Sequence, residues 1–175
     1  MIDFTNWADD VFELVENMRQ IKRIFIHCSA GFGDVESIKR HWKSIGWKSV
    51  GYHRIIAEDG EVFQLAPYEQ VTNGVKGYNS TSIHICYIGG VDRANVKKAK
   101  DSRTEAQKQA LICEIENALL YLKAFQNIED LQILGHRDIS EDKNLNGKVD
   151  AWERIKECPS FDAIPEYKHL IEKYK

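Results

Sequence analysis

The sequence predicts an α/β fold built on a mixed central sheet of about five strands flanked by helices. Apolar runs of strand character (IKRIFIH, SIHICYIGG, LQILGH) alternate along the chain with stripes of helical period, one over Val35–Ile45 and one over Leu111–Phe125. A hairpin signal at Asp59-Gly60 breaks that alternation once and makes the sheet mixed. No repeat, low-complexity tract or linker divides the 175 residues, so they fit one domain, 21–175, with residues 1–20 as an N-terminal helical extension.

The elements follow in order. Trp7, Val11, Phe12, Leu14, Val15 and Met18 lie at helical spacing and predict an amphipathic helix over 6–20. Ile24, Phe25 and Ile26 form a buried strand ending near His27, and Gly31 and Gly33 punctuate the loop after it. Asp34 is a good N-cap for a helix carrying Val35, Ile38, Trp42 and Ile45, which Gly46 ends. GYHRIIAEDGEVFQLA reads as a hairpin with strands near 52–57 and 61–66. VTNGVKGYNSTS is a loop, SIHICYIGG a buried strand, and VDRANVKKAKDSR a polar surface loop. Thr104 and Gln107 make a capping box for the longest helix, 104–126; LQILGH is a short strand ending at His136, and FDAIPEYKHLIEKYK closes the chain as a helix.

Composition bounds the function. Hydrophobic residues make up 43% and charged residues 29%, ordinary for a globular domain. A net charge of −3 argues against general nucleic-acid affinity, and no window approaches the ~18 apolar residues of a membrane span. The acidic start MIDFTNWADD is not a secretory signal, and the four cysteines are widely spread, so the chain is expected to be made in the cytoplasm with its thiols reduced.

His27 and His136 both fall at the carboxyl ends of predicted strands, the edge on which open α/β sheets build their sites. Cys158, in a Lys-x-Cys-Pro turn, adds a thiolate. Two imidazoles and a thiolate suit zinc and leave a fourth tetrahedral position for an acidified water. The ligands are far apart in sequence, so spacing alone leaves the metal open. Cys28 is a poor fourth ligand, because neighbours in a strand point to opposite faces. His53 faces away from Tyr52 and reads as structural, His84 as a core or near-site histidine, and His41 and His169 as helix-surface residues.

Five motifs together, IFIHCSA, GWKSVGYHRII, KGYNSTSIHICYIGG, GHRD and KECPSFD, resemble in order and approximate spacing the zinc-dependent type 2 N-acetylmuramoyl-L-alanine amidases. That family is related to the peptidoglycan recognition proteins, and the likeness, over about residues 21–165, points to its phage-lysozyme branch. The resemblance implies that His27, His136 and Cys158 are the zinc ligands, and that Tyr52 and Lys156 are catalytic. It implies hydrolysis of the amide between the lactyl group of N-acetylmuramic acid and L-alanine, with peptidoglycan as partner; charge and hydropathy give no nucleic-acid or membrane partner, and a monomer is expected. Taken alone, Tyr52 is a half-buried strand tyrosine and Lys156 a surface lysine. Asp138 and Asp162 flank the ligands and are candidates to accept a ligand's second ring N–H. The lack of an export signal fits an endolysin that reaches the wall at lysis, or a bacterial enzyme delivered by another route. A non-catalytic peptidoglycan-binding module and an interaction protein with structural zinc remain alternatives.

Two departures stand out. Members of the family often carry a histidine shortly before KGYN, where this chain reads Thr72-Asn73-Gly74-Val75. The segment between His136 and Cys158 is also longer than in the phage members. It contains Asp142, Asn144, Asn146, Lys148, Asp150 and Glu153 at the ligand positions of a twelve-residue EF-hand calcium loop, with Gly147 at its sixth position. A preceding helix is doubtful, and a polar turn is the plainer reading. Trp152 and the loop's polar side chains are candidates to border the substrate groove.

Overall fold

Strands β1 (Arg23–Cys28) and β4 (Ser82–Tyr87) form the buried middle of a five-stranded sheet in the computed structural model, which describes residues 18–175. The order is β3-β2-β4-β1-β5, with β2 (Arg54–Ile56), β3 (Val62–Gln64) and β5 (Gln132–Gly135). β1 runs parallel to β4 and β5, β2 runs parallel to β4, and only β3 at the edge is antiparallel. The near-continuous apolar runs of β1 and β4 are what strands covered on both faces require.

Register decides what each face carries. Phe25 pairs with His84 and His27 with Cys86, while Ile24 pairs with Ile83 and Ile26 with Ile85. Ile24, Ile26, Cys28, Ile83, Ile85 and Tyr87 therefore look one way, into a core closed by helices α2 (Glu105–Lys123) and α3 (Ala163–Tyr174) through Leu111, Ile115, Leu119, Tyr167 and Leu170. Phe25, His27, His84 and Cys86 look the other way. There α1 (Val35–Ser44) packs Val35 and Trp42 with Ile55 and Cys86.

The predicted caps form. Ser37 N–H donates to Asp34 Oδ1 at 2.6 Å, and Thr104 and Gln107 exchange both bonds of a capping box. α2 stops at Lys123 rather than 126, because Ala124 and Phe125 donate to Tyr121 and Leu122, three residues back, and tighten the last turn. The hairpin is shorter than predicted: Ala57 N–H already closes the turn on Glu61 O, and His53 N–H turns to His84 O. The predicted leading helix lies outside the described residues up to position 17, and 18–20 are irregular chain. Among the described residues no helix is long and apolar enough to cross a membrane.

Candidate metal centre and its groove

The sheet's carboxyl edge gathers the predicted donors. His27 is the penultimate residue of β1 and fully buried, and His136 follows β5 directly, opening a short 3-10 turn, His136–Ile139. Cys158 arrives on a turn fastened by three bonds: Arg137 N–H to Cys158 O (2.8 Å), Tyr87 O–H to Pro159 O (2.6 Å) and Ser160 O–H to Gly90 O (2.7 Å). Gly135 leaves the space this docking needs, since a Cβ there would lie 2.4 Å from Pro159 Cδ. As a result, the ligand atoms of His27, His136 and Cys158 all lie within 4.8 Å of one another.

These donors fit zinc. Cys158 Sγ is 3.8 Å from His27 Nδ1; tetrahedral zinc–sulfur and zinc–nitrogen bonds set an edge of roughly 3.6 Å. His27 Nε2 is engaged elsewhere, 3.1 Å from His84 Nδ1, so Nδ1 is the nitrogen presented to the site. Burial, and then the charges of His84, His136 and Lys156, keep His27 neutral well below its ordinary pKa. Burial and the nearby Lys156 charge lower His136 to about 4. Neutral imidazoles are what a cation needs. Cys158 Sγ accepts Cys28 N–H at 3.2 Å, and the neighbouring Cys28 thiol together with burial pushes the Cys158 thiol up. A dication beside Cys158 reverses that preference and draws the thiolate to it.

A groove of about 510 Å³ opens over this centre, lined among others by Tyr52, Lys156, Trp42, Trp47 and His41. The Tyr52 ring lies 4.9 Å from that of His27 and edge-on to Trp42 at 5.4 Å, and Trp42 stacks on Trp47 at 6.2 Å. Burial pushes the Tyr52 phenol well above its ordinary pKa, so it stays a hydrogen-bond donor. Lys156 is exposed at the rim. His41 is exposed on the helix surface, as expected, and also lines the groove.

Asp138 and Asp162 are not placed against a ligand ring. Asp138 Oδ2 accepts Gly135 N–H at 2.7 Å, and Asp162 pairs with Arg137, whose guanidinium is the nearer cation. The group at His27's second nitrogen is His84. Parity along SIHICY puts His84 on the His27 face, but only once the parallel register of β1 and β4 is known.

The 142–153 loop stands apart. Asp142 accepts Asn146 N–H (3.2 Å) and Gly147 N–H (2.8 Å), and the Asn144 and Asn146 amides donate to Asp150 Oδ2 at 2.9 and 2.8 Å. Buried Glu153 accepts the N–H groups of Lys143, Asn144 and Asp150 at 2.8, 3.1 and 2.7 Å. Lys148 Nζ lies 3.8 Å from Asp150 Oδ1. Short 3-10 turns, His136–Ile139 and Ala151–Glu153, stand where an EF-hand has helices. None of these loop residues lines the groove, and Trp152 is 65% exposed, so the expectation that they border it is corrected. The loop instead faces a separate hollow of about 750 Å³ shared with Asp138, Arg154 and Asp162.

A protein-family profile described as N-acetylmuramoyl-L-alanine amidase matches residues 17–159. The endolysin of Klebsiella phage KP32 is 34% identical over 148 residues, covering 82% of this chain and 83% of that protein. The endolysin of Escherichia phage T7 is 34% identical over 143 residues, covering 79% and 80%. Among solved structures, the N-acetylmuramoyl-L-alanine amidase LysC from Clostridium intestinale superposes with a TM-score of 0.59 at 19% identity, covering 90% of this chain and 86% of that one. Apis mellifera PGRP-SA superposes with a TM-score of 0.62 at 18% identity, covering 87% and 84%. The two structures share the fold.

Proposed function

Since the chain belongs to the N-acetylmuramoyl-L-alanine amidase family, we propose that it cleaves the lactyl–L-alanine amide of peptidoglycan with zinc held by His27, His136 and Cys158, and with Tyr52 and Lys156 as catalytic residues. The observation that carries this reading is the convergence of three donor atoms within 4.8 Å beneath a groove that also holds Tyr52 and Lys156.

Zinc bound there supplies an acidified water and polarises the scissile carbonyl. Lys156, whose charge is felt at both ligand histidines, stabilises the negative charge that develops on the carbonyl oxygen. Tyr52, held protonated by burial, donates a hydrogen bond to that oxygen or to the attacking water. Trp42, Trp47 and Ile45 give the groove an apolar wall that orients the substrate and sheds water. The same reading makes the chain an endolysin, made in the cytoplasm, brought to the wall at lysis and acting as a monomer.

Recognition without catalysis is the rival reading, and the complete donor set with Tyr52 and Lys156 beside it weighs against that. Metal analysis of the purified protein, paired with an assay for new L-alanine amino termini from sacculi, separates the two. Zinc bound with no termini released would leave only the recognition module.

For the 142–153 loop the proposal is calcium, supported by Asp142, Asn144, Asn146, Asp150 and Glu153 being tied to one another around the loop. Calcium has to displace the Asn amides from Asp150 and the N–H groups from Glu153, which places affinity in the weak range of about 10⁻⁴–10⁻³ M. Terbium luminescence sensitised by Trp152 is the direct test, and no sensitised signal at millimolar ion removes the proposal.

A further inference from the structure

We propose that His84 is a positioning residue for the metal centre, fixing the tautomer and orientation in which His27 presents Nδ1, and that Gly74 is glycine to make room for it. The inference rests on His27 being a metal ligand.

Between His27 Nε2 and His84 Nδ1, 3.1 Å apart, there is room for one proton. Because His27 Nδ1 faces Cys158 Sγ at 3.8 Å, a ligating His27 keeps that nitrogen bare and carries its proton on Nε2. His84 Nδ1 is then the acceptor. The opposite arrangement, with the proton on His84 Nδ1, makes His27 Nε2 the acceptor and puts the His27 proton on Nδ1, which closes the ligand position. The acceptor at position 84 thus selects the state of His27 that binds a cation.

The His84 ring is itself held. It lies nearly parallel to Phe25 (5.6 Å, 9°) and to His53 (5.9 Å, 18°). His84 N–H donates to His53 Nδ1 at 2.9 Å, which leaves the His53 proton on Nε2, 2.9 Å from Gln70 O and 3.0 Å from the Arg19 guanidinium. All three imidazoles are fully buried.

This arrangement is not the one packing alone favours. His84 sits between Ile83 and Ile85 in a buried strand, and its Nε2 has no hydrogen-bond partner among the described residues. A buried orphan N–H is unfavourable, and an apolar side chain avoids it. Such local exceptions mark functional positions. Gly74 supports the same conclusion from the other side. A Cβ there would lie 2.3 Å from His84 Nδ1 and 2.4 Å from Cγ, and its φ is not in the left-handed region, so the requirement is for space. The segment in which the sequence departs from the family, Thr72 to Val75, is therefore the one that accommodates this imidazole.

The test is zinc affinity, measured by competition with a chromophoric chelator, with NMR of the ring nitrogens on zinc-loaded protein. His84→Ala is expected to weaken zinc 10- to 100-fold, the range for removing an outer partner of a ligating histidine. His84→Asn, whose Oδ1 can accept near the Nδ1 position, should retain affinity within about threefold. Gly74→Ala should weaken zinc as His84→Ala does while keeping the imidazole, and in the His84→Ala background it should add less than about twofold. The nitrogen spectra should show protons on Nε2 of both His27 and His84. Unchanged affinity in His84→Ala, or a proton on His84 Nδ1, overturns the proposal. If His27→Ala loses zinc while His84→Ala does not, the ligand reading stands and positioning falls. If the unmodified chain binds no zinc, the ligand reading itself falls. Should His84→Ala fail to fold, Gly74→Ala and His84→Asn carry the test.

Discussion

The stretch from Gly135 to Asp162 contains two regions rich in metal-binding side chains, and they are built in opposite ways. At the sheet edge, His136 and Cys158 meet His27 with their backbone groups already satisfied by the sheet and by the Arg137, Tyr87 and Ser160 bonds, so the donor atoms are left facing each other. In the 142–153 loop there is no such frame, and the carboxylates of Asp142 and Glu153 hold the loop's own N–H groups. A donor set becomes a strong metal site when the scaffold takes over the competing hydrogen bonds. Where the donors must also build the scaffold, an ion has to displace part of the structure.

That contrast predicts a ranked series of effects. Cys158→Ala should lose zinc and lower amidase turnover by at least about a thousandfold, since the ion supplies several kcal/mol of stabilisation; metal content and amine release measure both. Turnover near normal in that variant would break the contrast at once. Lys156→Ala should leave zinc bound and cost about 10²–10³ in kcat, the scale of one lost oxyanion donor. Next comes Tyr52→Phe, expected to cost about tenfold to a hundredfold in kcat with zinc retained, which kinetics alongside metal analysis checks.

The two regions should also separate by pH. His53 is buried and held at about 4, mainly by desolvation, against about 6.5 when unfolded. The unfolded chain therefore takes up protons first, and His53 alone costs of order 3 kcal/mol of stability as pH falls from about 6.5 to 4, a loss to which His136, lowered the same way, adds. Urea midpoints of the metal-free protein across that range should fall, and His53→Gln should flatten the slope. Hydrogen bonds from Asn144 and Asn146 lower the Asp150 pKa, so its contribution is present above the unfolded carboxylate value and lost only as pH falls further, below about 4. The smallest effect is expected from Asp142→Ala, which should abolish any rise in melting temperature on adding millimolar calcium and leave zinc content unchanged. A loss of zinc there would mean the two regions are coupled.

Much of this was legible in the sequence. Alternation in IFIH and SIHICY, the caps at Asp34 and Thr104 and the Asp59-Gly60 turn carried the fold, because each is a local signal with a local cause. The candidate metal centre was not local. His27, His136 and Cys158 came from strand ends and from the family resemblance, and spacing left them open. His84 could not be assigned, since its partner depends on the register between β1 and β4, which neither strand encodes alone. Asp138 and Asp162 looked well placed by proximity in sequence, yet Gly135 N–H and Arg137 claimed them. His41 was legible as a helix-surface residue, but that its surface is the groove's depends on which way the last turn of α1 faces.

The segment from His136 to Cys158 begins and ends at fixed points, and its middle, where Leu145 is 86% exposed, touches neither the core nor the groove. Closing a chain between fixed ends costs only about 0.6 kcal/mol for each doubling of its length. The segment is therefore the place where this protein can be lengthened, tagged or fitted with a foreign peptide while the two donors at its ends keep their positions.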